Sequence, residues 1–189
     1  MSVENGKRPA AFIDRDGTLI EEVNFLSSVD DLRIFPFTAE AVRLLKENGF
    51  RVVVVTNQSG IGRNIYDEAA MRSIHDEMQR QLGNAIDAFY FCPHLPDVGC
   101  ECRKPNFGML RTATRDLGIE MENSWMIGDK LIDVETGFKA GIRSAMVRTG
   151  YGEKHELELE RPPDIVADNL LLVVEQILQH RSRLLAAHD

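Results

Sequence analysis

Cationic residues are the first scarcity in this 189-residue chain: 22 Lys and Arg stand against 30 Asp and Glu, a net charge of −8. A protein that binds nucleic acid or an anionic membrane needs a basic stripe to neutralise phosphates, and this balance argues against both partners. No apolar run is long enough to span a bilayer, and the opening Met1-Ser2-Val3-Glu4-Asn5-Gly6-Lys7 lacks the basic and apolar regions of a secretory signal. A cytoplasmic protein is expected. Cysteine is also sparse: the three residues, Cys92, Cys100 and Cys102, all lie within one short stretch, which suits a metal site better than a disulfide framework. There is no internal repeat and no low-complexity segment. Any anionic substrate must therefore meet a local cluster of positive groups.

What the chain does have is alternation. Arg51-Val-Val-Val-Val-Thr56 is β-branched on consecutive positions, as a strand covered on both faces requires. Ahead of it, Thr38 is placed to cap a helix with an apolar stripe at Ala41, Val42, Leu44 and Leu45, closed by Gly49. The pattern predicts helices over about 67–82, 108–117 and 133–140, strands over 88–91, 125–128 and 143–147, and a last amphipathic helix over 169–180. Strands alternating with helices indicate an α/β fold with a doubly wound parallel sheet. At this length one domain, 1–189, is expected, with a core of about 8–180 and a frayed tail over 181–189.

Four predicted strand ends carry polar residues, and in a parallel sheet these ends open on one edge. The first, Ala10-Ala11-Phe12-Ile13, runs into Asp14-Arg15-Asp16-Gly17-Thr18. Side chains two apart on a strand share a side, so Asp14 and Asp16 converge, inviting a cation and offering a nucleophile and an acid/base. The second strand ends in Thr56-Asn57-Gln58-Ser59-Gly60, where a hydroxyl and turn amides suit a phosphate oxygen. Arg103-Lys104-Pro105 supplies a planar fork and a compact charge, and Gly128-Asp129-Lys130-Leu131-Ile132-Asp133 adds the carboxylate that completes an oxygen-rich site for Mg²⁺. Taken singly, each reads as readily as a turn, a cap or a solvated pair; together they describe one site.

The cysteines form a second group. Cys92-x-His94-x5-Cys100-x-Cys102 offers three thiolates and an imidazole in one loop, the donor set of closed tetrahedral Zn²⁺. Four protein ligands leave no position for water, so the ion's role is structural, fixing Arg103 and Lys104 immediately downstream.

In order, Asp-x-Asp-Gly-Thr, Thr-Asn, Arg-Lys-Pro and Gly-Asp-Lys-x-x-Asp resemble the four motifs of the haloacid dehalogenase superfamily of phosphohydrolases, over residues 10 to about 150. The resemblance implies Asp14 as nucleophile forming an aspartyl-phosphate and Asp16 as acid/base. It implies Mg²⁺ held by Asp14, the main-chain carbonyl of Asp16 and Asp129, with Thr56 and Lys104 holding the phosphoryl group. Asp-Arg-Asp-Gly-Thr, Val-Thr-Asn-Gln-Ser-Gly-Ile, the zinc loop, Cys-Arg-Lys-Pro and Ile-Gly-Asp-Lys narrow it. They are similar to the heptose 1,7-bisphosphate phosphatases of lipopolysaccharide biosynthesis and, less closely, to histidinol-phosphate phosphatases. This family implies a fold without a cap domain, so that loops read the substrate: Glu22, Val23, Asn24 and Phe25 of a flap, Asn57, Gln58 and Ser59, and Arg103 and Lys130. Lys130 is expected to pair with the catalytic carboxylates, and Asp133 to orient the site or to be a first-turn helix acid; Arg63 and Arg148 have no motif to place them. The expectation is a monomeric hydrolase of a small phosphorylated sugar. A phospho-accepting receiver module is disfavoured because Asp16 promotes turnover, and a nucleic-acid end phosphatase because no basic stripe exists.

Overall fold

The computed structural model describes residues 6–186, and its framework is a six-stranded, all-parallel sheet. The strands are β1 (Arg8–Ile13), β2 (Arg51–Asn57), β3 (Ala88–Cys92), β4 (Ile119–Gly128), β5 (Arg143–Val147) and β6 (Ile165–Ala167), in spatial order β3-β2-β1-β4-β5-β6. The helices are α1 (Thr38–Glu47), α2 (Ser59–Gly62), α3 (Glu68–Gln81), α4 (Gly108–Leu117), α5 (Leu131–Ala140), α6 (Gly152–Glu156) and α7 (Leu170–Ala186). The doubly wound expectation holds. Strand order reverses between β1 and β4, so the crevice beyond their carboxyl ends is where such a sheet takes a ligand.

The valines of β2 explain its central place. Val52 and Val54 join Ala11, Ile13, Leu45, Ile74, Val173 and Ile177 in the core on one face, while Val53 and Val55 join Ala10, Phe12, Met109, Leu110 and Ala113 on the other. Period-two alternation thus serves two cores at once.

Several local expectations are corrected. Thr38 does not cap α1: it is the first helical residue, and its buried hydroxyl donates to the Leu19 carbonyl at 2.7 Å. Asp67 does cap α3, its carboxylate accepting from the Ala70 amide at 2.8 Å. β4 begins six residues earlier than Trp125, because its first half pairs with Arg8 and Pro9 before a bulge. Ser124 fills that irregularity, its Oγ accepting from Ala10 N at 2.9 Å. α7 runs on past 181 to Ala186, into the expected tail; residues 187–189 and the opening Met1–Asn5 lie outside the described residues. No described helix is long and apolar enough to cross a membrane.

Candidate active site at the strand ends

β1 ends at Ile13, and Asp14 follows with its amide still donating to the Ile127 carbonyl of β4 at 2.9 Å. That last sheet bond fixes where the carboxylate projects. Asp14 Oδ1 accepts from the Arg15 amide at 2.8 Å and lies 2.9 Å from Lys104 Nζ, while Oδ2 takes no hydrogen bond among the described residues. Lys104 is fully buried. Its ammonium lies 2.7 Å from Asp133 Oδ1 and donates to the Val55 carbonyl at 2.9 Å. Burial opposes that charge, but Asp133 and Asp14 outweigh it and push its pKa up.

Asp129, beyond β4, accepts from the Tyr151 amide through Oδ2 at 2.9 Å, while its buried Oδ1 has no hydrogen-bond partner. Burial, with Asp14 close by, pushes this carboxyl up to about 8. Asp14, Asp129 and Asp133 each bring a carboxylate oxygen within 4.8 Å of one another. An orphaned buried oxygen among converging carboxylates is a donor set that fits a hard divalent cation. Asp133 closes the cluster differently from Asp129: Oδ2 accepts from the Lys130 amide at 3.0 Å, and Oδ1, which like Asp129 Oδ1 has no hydrogen-bond partner, lies 2.7 Å from the Lys104 ammonium as an ion pair. It orients the site as well as standing in the first turn of α5.

Asp16 faces another way. Arg15 grips it in a fork, Nε to Oδ2 at 3.0 Å and Nη2 to Oδ1 at 2.9 Å, and Gln58 Nε2 donates to Oδ2 at 2.9 Å. Its immediate partners are therefore a guanidinium and an amide, not the acidic neighbours its sequence position implies. Thr56 Oγ1 accepts from Gln58 Nε2 at 2.8 Å and stands 3.5 Å from Asp16 Oδ2.

Strand-end carboxylates, a buried lysine between two of them and a threonine on the neighbouring strand describe a phosphoryl-transfer site on a Rossmann-like sheet, and comparison with known proteins agrees. A family model described as HAD-hydrolase-like matches residues 101–173. The chain is 36% identical to the D-glycero-D-manno-heptose-1,7-bisphosphate 7-phosphatase of Thermosynechococcus vestitus, covering 92% of this chain and 97% of that protein. It is 37% identical to the D-glycero-beta-D-manno-heptose-1,7-bisphosphate 7-phosphatase of Bordetella bronchiseptica, covering 88% and 96%. The crystal structure of the B. bronchiseptica D,D-heptose 1,7-bisphosphate phosphatase, complexed with magnesium and phosphate, superposes with a TM-score of 0.85 at 35% identity, covering 91% of this chain and 99% of that one. The chain belongs to the HAD-like hydrolases. It is a phosphoric monoester hydrolase.

In this HAD-like phosphatase a cavity of about 120 Å³ opens above Asp16. Glu22, Val23, Asn24 and Phe25 of the flap line it, as do Asn57, Gln58, Ser59 and Lys130, so the structure gathers nearly all the residues expected to read substrate. Arg103 is the exception. Its guanidinium turns to the cysteine-rich loop and donates to the His94 carbonyl at 3.2 Å. A larger cleft of about 390 Å³ beyond that loop, lined by Glu101, Asn106, Phe107, Gly108, Arg111 and Lys139, holds none of the strand-end carboxylates, so chemistry rather than size identifies the site.

Lys130 pairs with Glu22 at 2.8 Å rather than directly with Asp14 or Asp129. Burial opposes its charge, but the fields of Asp14, Asp129 and Glu22 together push its pKa up. Burial raises Glu22, with Lys130 opposing. Asn57 also pins the backbone of the buried lysine, since its Oδ1 accepts from the Lys104 amide at 3.1 Å and its Nδ2 donates to the Lys104 carbonyl at 3.2 Å. Arg148 is structural, engaged with Glu156 and Asp168, whereas Arg63 stands over the Phe25 ring, 6.0 Å from its centroid, at the flap.

The expected zinc ligands converge as the spacing predicts. Cys92 Sγ, His94 Nδ1, Cys100 Sγ and Cys102 Sγ are mutually 3.3–3.5 Å apart wherever a contact is made. A tetrahedron with metal–sulfur bonds of about 2.3 Å has edges only slightly longer, about 3.8 Å, so the donors fit Zn²⁺. Burial pushes the Cys92 thiol up, to about 12.

Sequence reasoning missed Arg15, His75 and Tyr66. Arg15 lay inside the motif, but its burial could not be read from a solvent-prone residue type. His75 shares the core-facing stripe of α3 with Met71, Ile74 and Met78, a placement that its period alone would have shown.

Proposed function

We propose that this phosphatase removes the 7-phosphate of D-glycero-D-manno-heptose 1,7-bisphosphate through an aspartyl-phosphate on Asp14. Similarity along almost the whole chain to two enzymes named for that reaction carries the choice of substrate. The geometry supports the mechanism. With Asp14 Oδ1 committed to Lys104 and the Arg15 amide, Oδ2 is the oxygen free to attack phosphorus. As the O–P bond forms, the bond to the sugar oxygen breaks and Asp16 gives that oxygen a proton. Water then attacks the aspartyl-phosphate, Asp16 takes its proton, and inorganic phosphate departs with Asp14 restored. Thr56 and Lys104 hold the transferring group. Asp14 and Asp129, with the Asp16 carbonyl, would hold Mg²⁺, which when bound offsets charge on the phosphoryl oxygens. Cys92, His94, Cys100 and Cys102 would hold Zn²⁺, which when bound would keep Arg103 and Lys104 in register.

Steady-state kinetics on heptose 1,7-bisphosphate, histidinol phosphate and a small generic ester tests the reading. The bisphosphate should lead histidinol phosphate in kcat/KM by at least about a hundredfold, a discrimination that polar contacts to a second phosphate can supply. Lys130→Ala, at a residue that lines the cavity, should shrink that gap more than it slows the generic ester. A preference for histidinol phosphate would overturn the assignment. Asp14→Asn should lower turnover at least about a thousandfold.

A further inference from the structure

Arg15 is the largest fully buried side chain among the described residues, 1% exposed, and its charge needs an explanation. A buried guanidinium costs several kcal/mol to desolvate and is kept only where partners satisfy it. Its Nε and Nη2 grip Asp16, and Nη2 also donates to Gln58 Oε1 at 3.1 Å. The remaining terminal nitrogen, Nη1, lies 3.2 Å from His75 Nε2. An arginine has no lone pair to offer, so His75 must accept, with its proton on Nδ1 and its ring neutral.

The imidazole is held in place to accept. It is buried on α3 and stacked on Phe89 of β3, ring centroids 4.4 Å apart and planes 16° from parallel. Stacking fixes the plane of the ring, and the plane fixes the direction of Nε2. Gln58 completes the frame from the other side: Oε1 also accepts from Tyr66 Oη at 2.5 Å, so its Nε2 can only face Asp16 and Thr56. Asp16 is thereby oriented by two groups, each oriented by a third. His75 itself does not line the cavity.

We infer that His75 is a positioning residue for the acid/base Asp16, acting through Arg15: as a neutral acceptor it fixes the guanidinium fork that aims the carboxyl at the leaving oxygen. The inference rests on the assignment of Asp16 as general acid. Its consequence is selective, because a poorly aimed acid matters for an alkoxide that cannot leave without a proton and hardly matters for a phenolate that can.

The test is kcat/KM for a series of aryl and alkyl phosphate monoesters with Mg²⁺ present, a parameter that includes leaving-group departure but not later hydrolysis of the aspartyl-phosphate. His75→Leu should lose about tenfold or more on a sugar phosphate, as befits partial loss of general acid catalysis, and less than about threefold on p-nitrophenyl phosphate. His75→Gln, which returns an acceptor near the Nε2 position, should restore the wild-type dependence. Phe89→Leu, which removes only the stacking, should give a weaker version of the His75→Leu pattern and serves if that variant does not fold. An equal loss on all esters in His75→Leu and Phe89→Leu, alongside a steepened dependence in Asp16→Asn, overturns the inference alone. No steepening in Asp16→Asn overturns the acid assignment and the inference with it.

Discussion

Gly17 lies so close to Asp129 that a Cβ built on it would stand 2.3 Å from Asp129 Oδ2, inside any allowed contact. Gly150 adjoins it at the same oxygen, a Cβ built there standing 2.3 Å from Asp129 Oδ2 and 2.7 Å from Gly17 Cα. Both have positive φ, +81° and +58°, so a side chain at either is strained as well as obstructed. The two glycines thus let the β1 turn and the loop after β5 close around one carboxylate and set its free Oδ1.

Gly17→Ala and Gly150→Ala should therefore displace Asp129 before they unfold the sheet. The expected result is a rise of about 10–100-fold in the Mg²⁺ concentration needed for half-maximal activity, the usual cost of disturbing a ligand's support. Titrating activity against Mg²⁺ measures it. An unchanged half-saturation point would show that Asp129 does not serve the cation.

Lys104 is the only ammonium in contact with Asp14 and Asp133 among the described residues. Lys104→Met should remove it and leave buried, unpaired carboxylates, destabilising the fold by about 3–5 kcal/mol in metal-free buffer. Adding Mg²⁺ should recover part of the lost Tm, because a cation bound only to the folded state supplies the missing charge. Thermal melts with and without Mg²⁺ decide it, and a variant as stable as wild type without metal would refute the pairing.

How much of this was legible follows from which residues advertise themselves. The sheet could be read because β2 is β-branched on consecutive positions, and the strand-end carboxylates because apolar runs deliver them. β4 was cut short because Glu122, Asn123 and Ser124 part its short alternating start, Ile119 to Met121, from the apolar run at Trp125, and the pairing shifts register between the two halves. Arg15 was invisible for a different reason: its burial depends on Asp16, on Gln58 just beyond β2 and on His75 of α3, and mutual satisfaction across separate elements leaves no local pattern. Arg103 was expected at the substrate, yet a flexible side chain beside a metal loop finds a backbone carbonyl first.

The zinc loop should show its ion by elemental analysis, at about one Zn²⁺ per chain after purification without added metal, retained when mild chelation removes Mg²⁺. Cys100→Ser should lose it. Because the loop's hold on Lys104 runs through the short link from Cys102, that variant should raise KM for the phosphate ester while the far-ultraviolet spectrum of the sheet persists. Active wild-type protein without zinc would dispose of the structural role.

Burial beside Arg15 and Arg72 lowers His75 from its ordinary 6.5 to about 3, desolvation being the main cause. In the unfolded chain the imidazole takes up a proton near pH 6.5, and in the folded chain only near pH 3, so between those values the unfolded state binds more protons. This contribution to stability is full above about pH 6.5 and is lost progressively as pH falls toward 3, at up to about 1.4 kcal/mol per pH unit. Between about pH 7 and pH 5 the wild type should lose about 2 kcal/mol more than His75→Gln, whose side chain does not titrate. Urea unfolding of both proteins at the two pH values isolates the effect, since every other titrating group is common to them. Parallel losses would mean that His75 is protonated in the fold, and an imidazolium could not accept from Arg15.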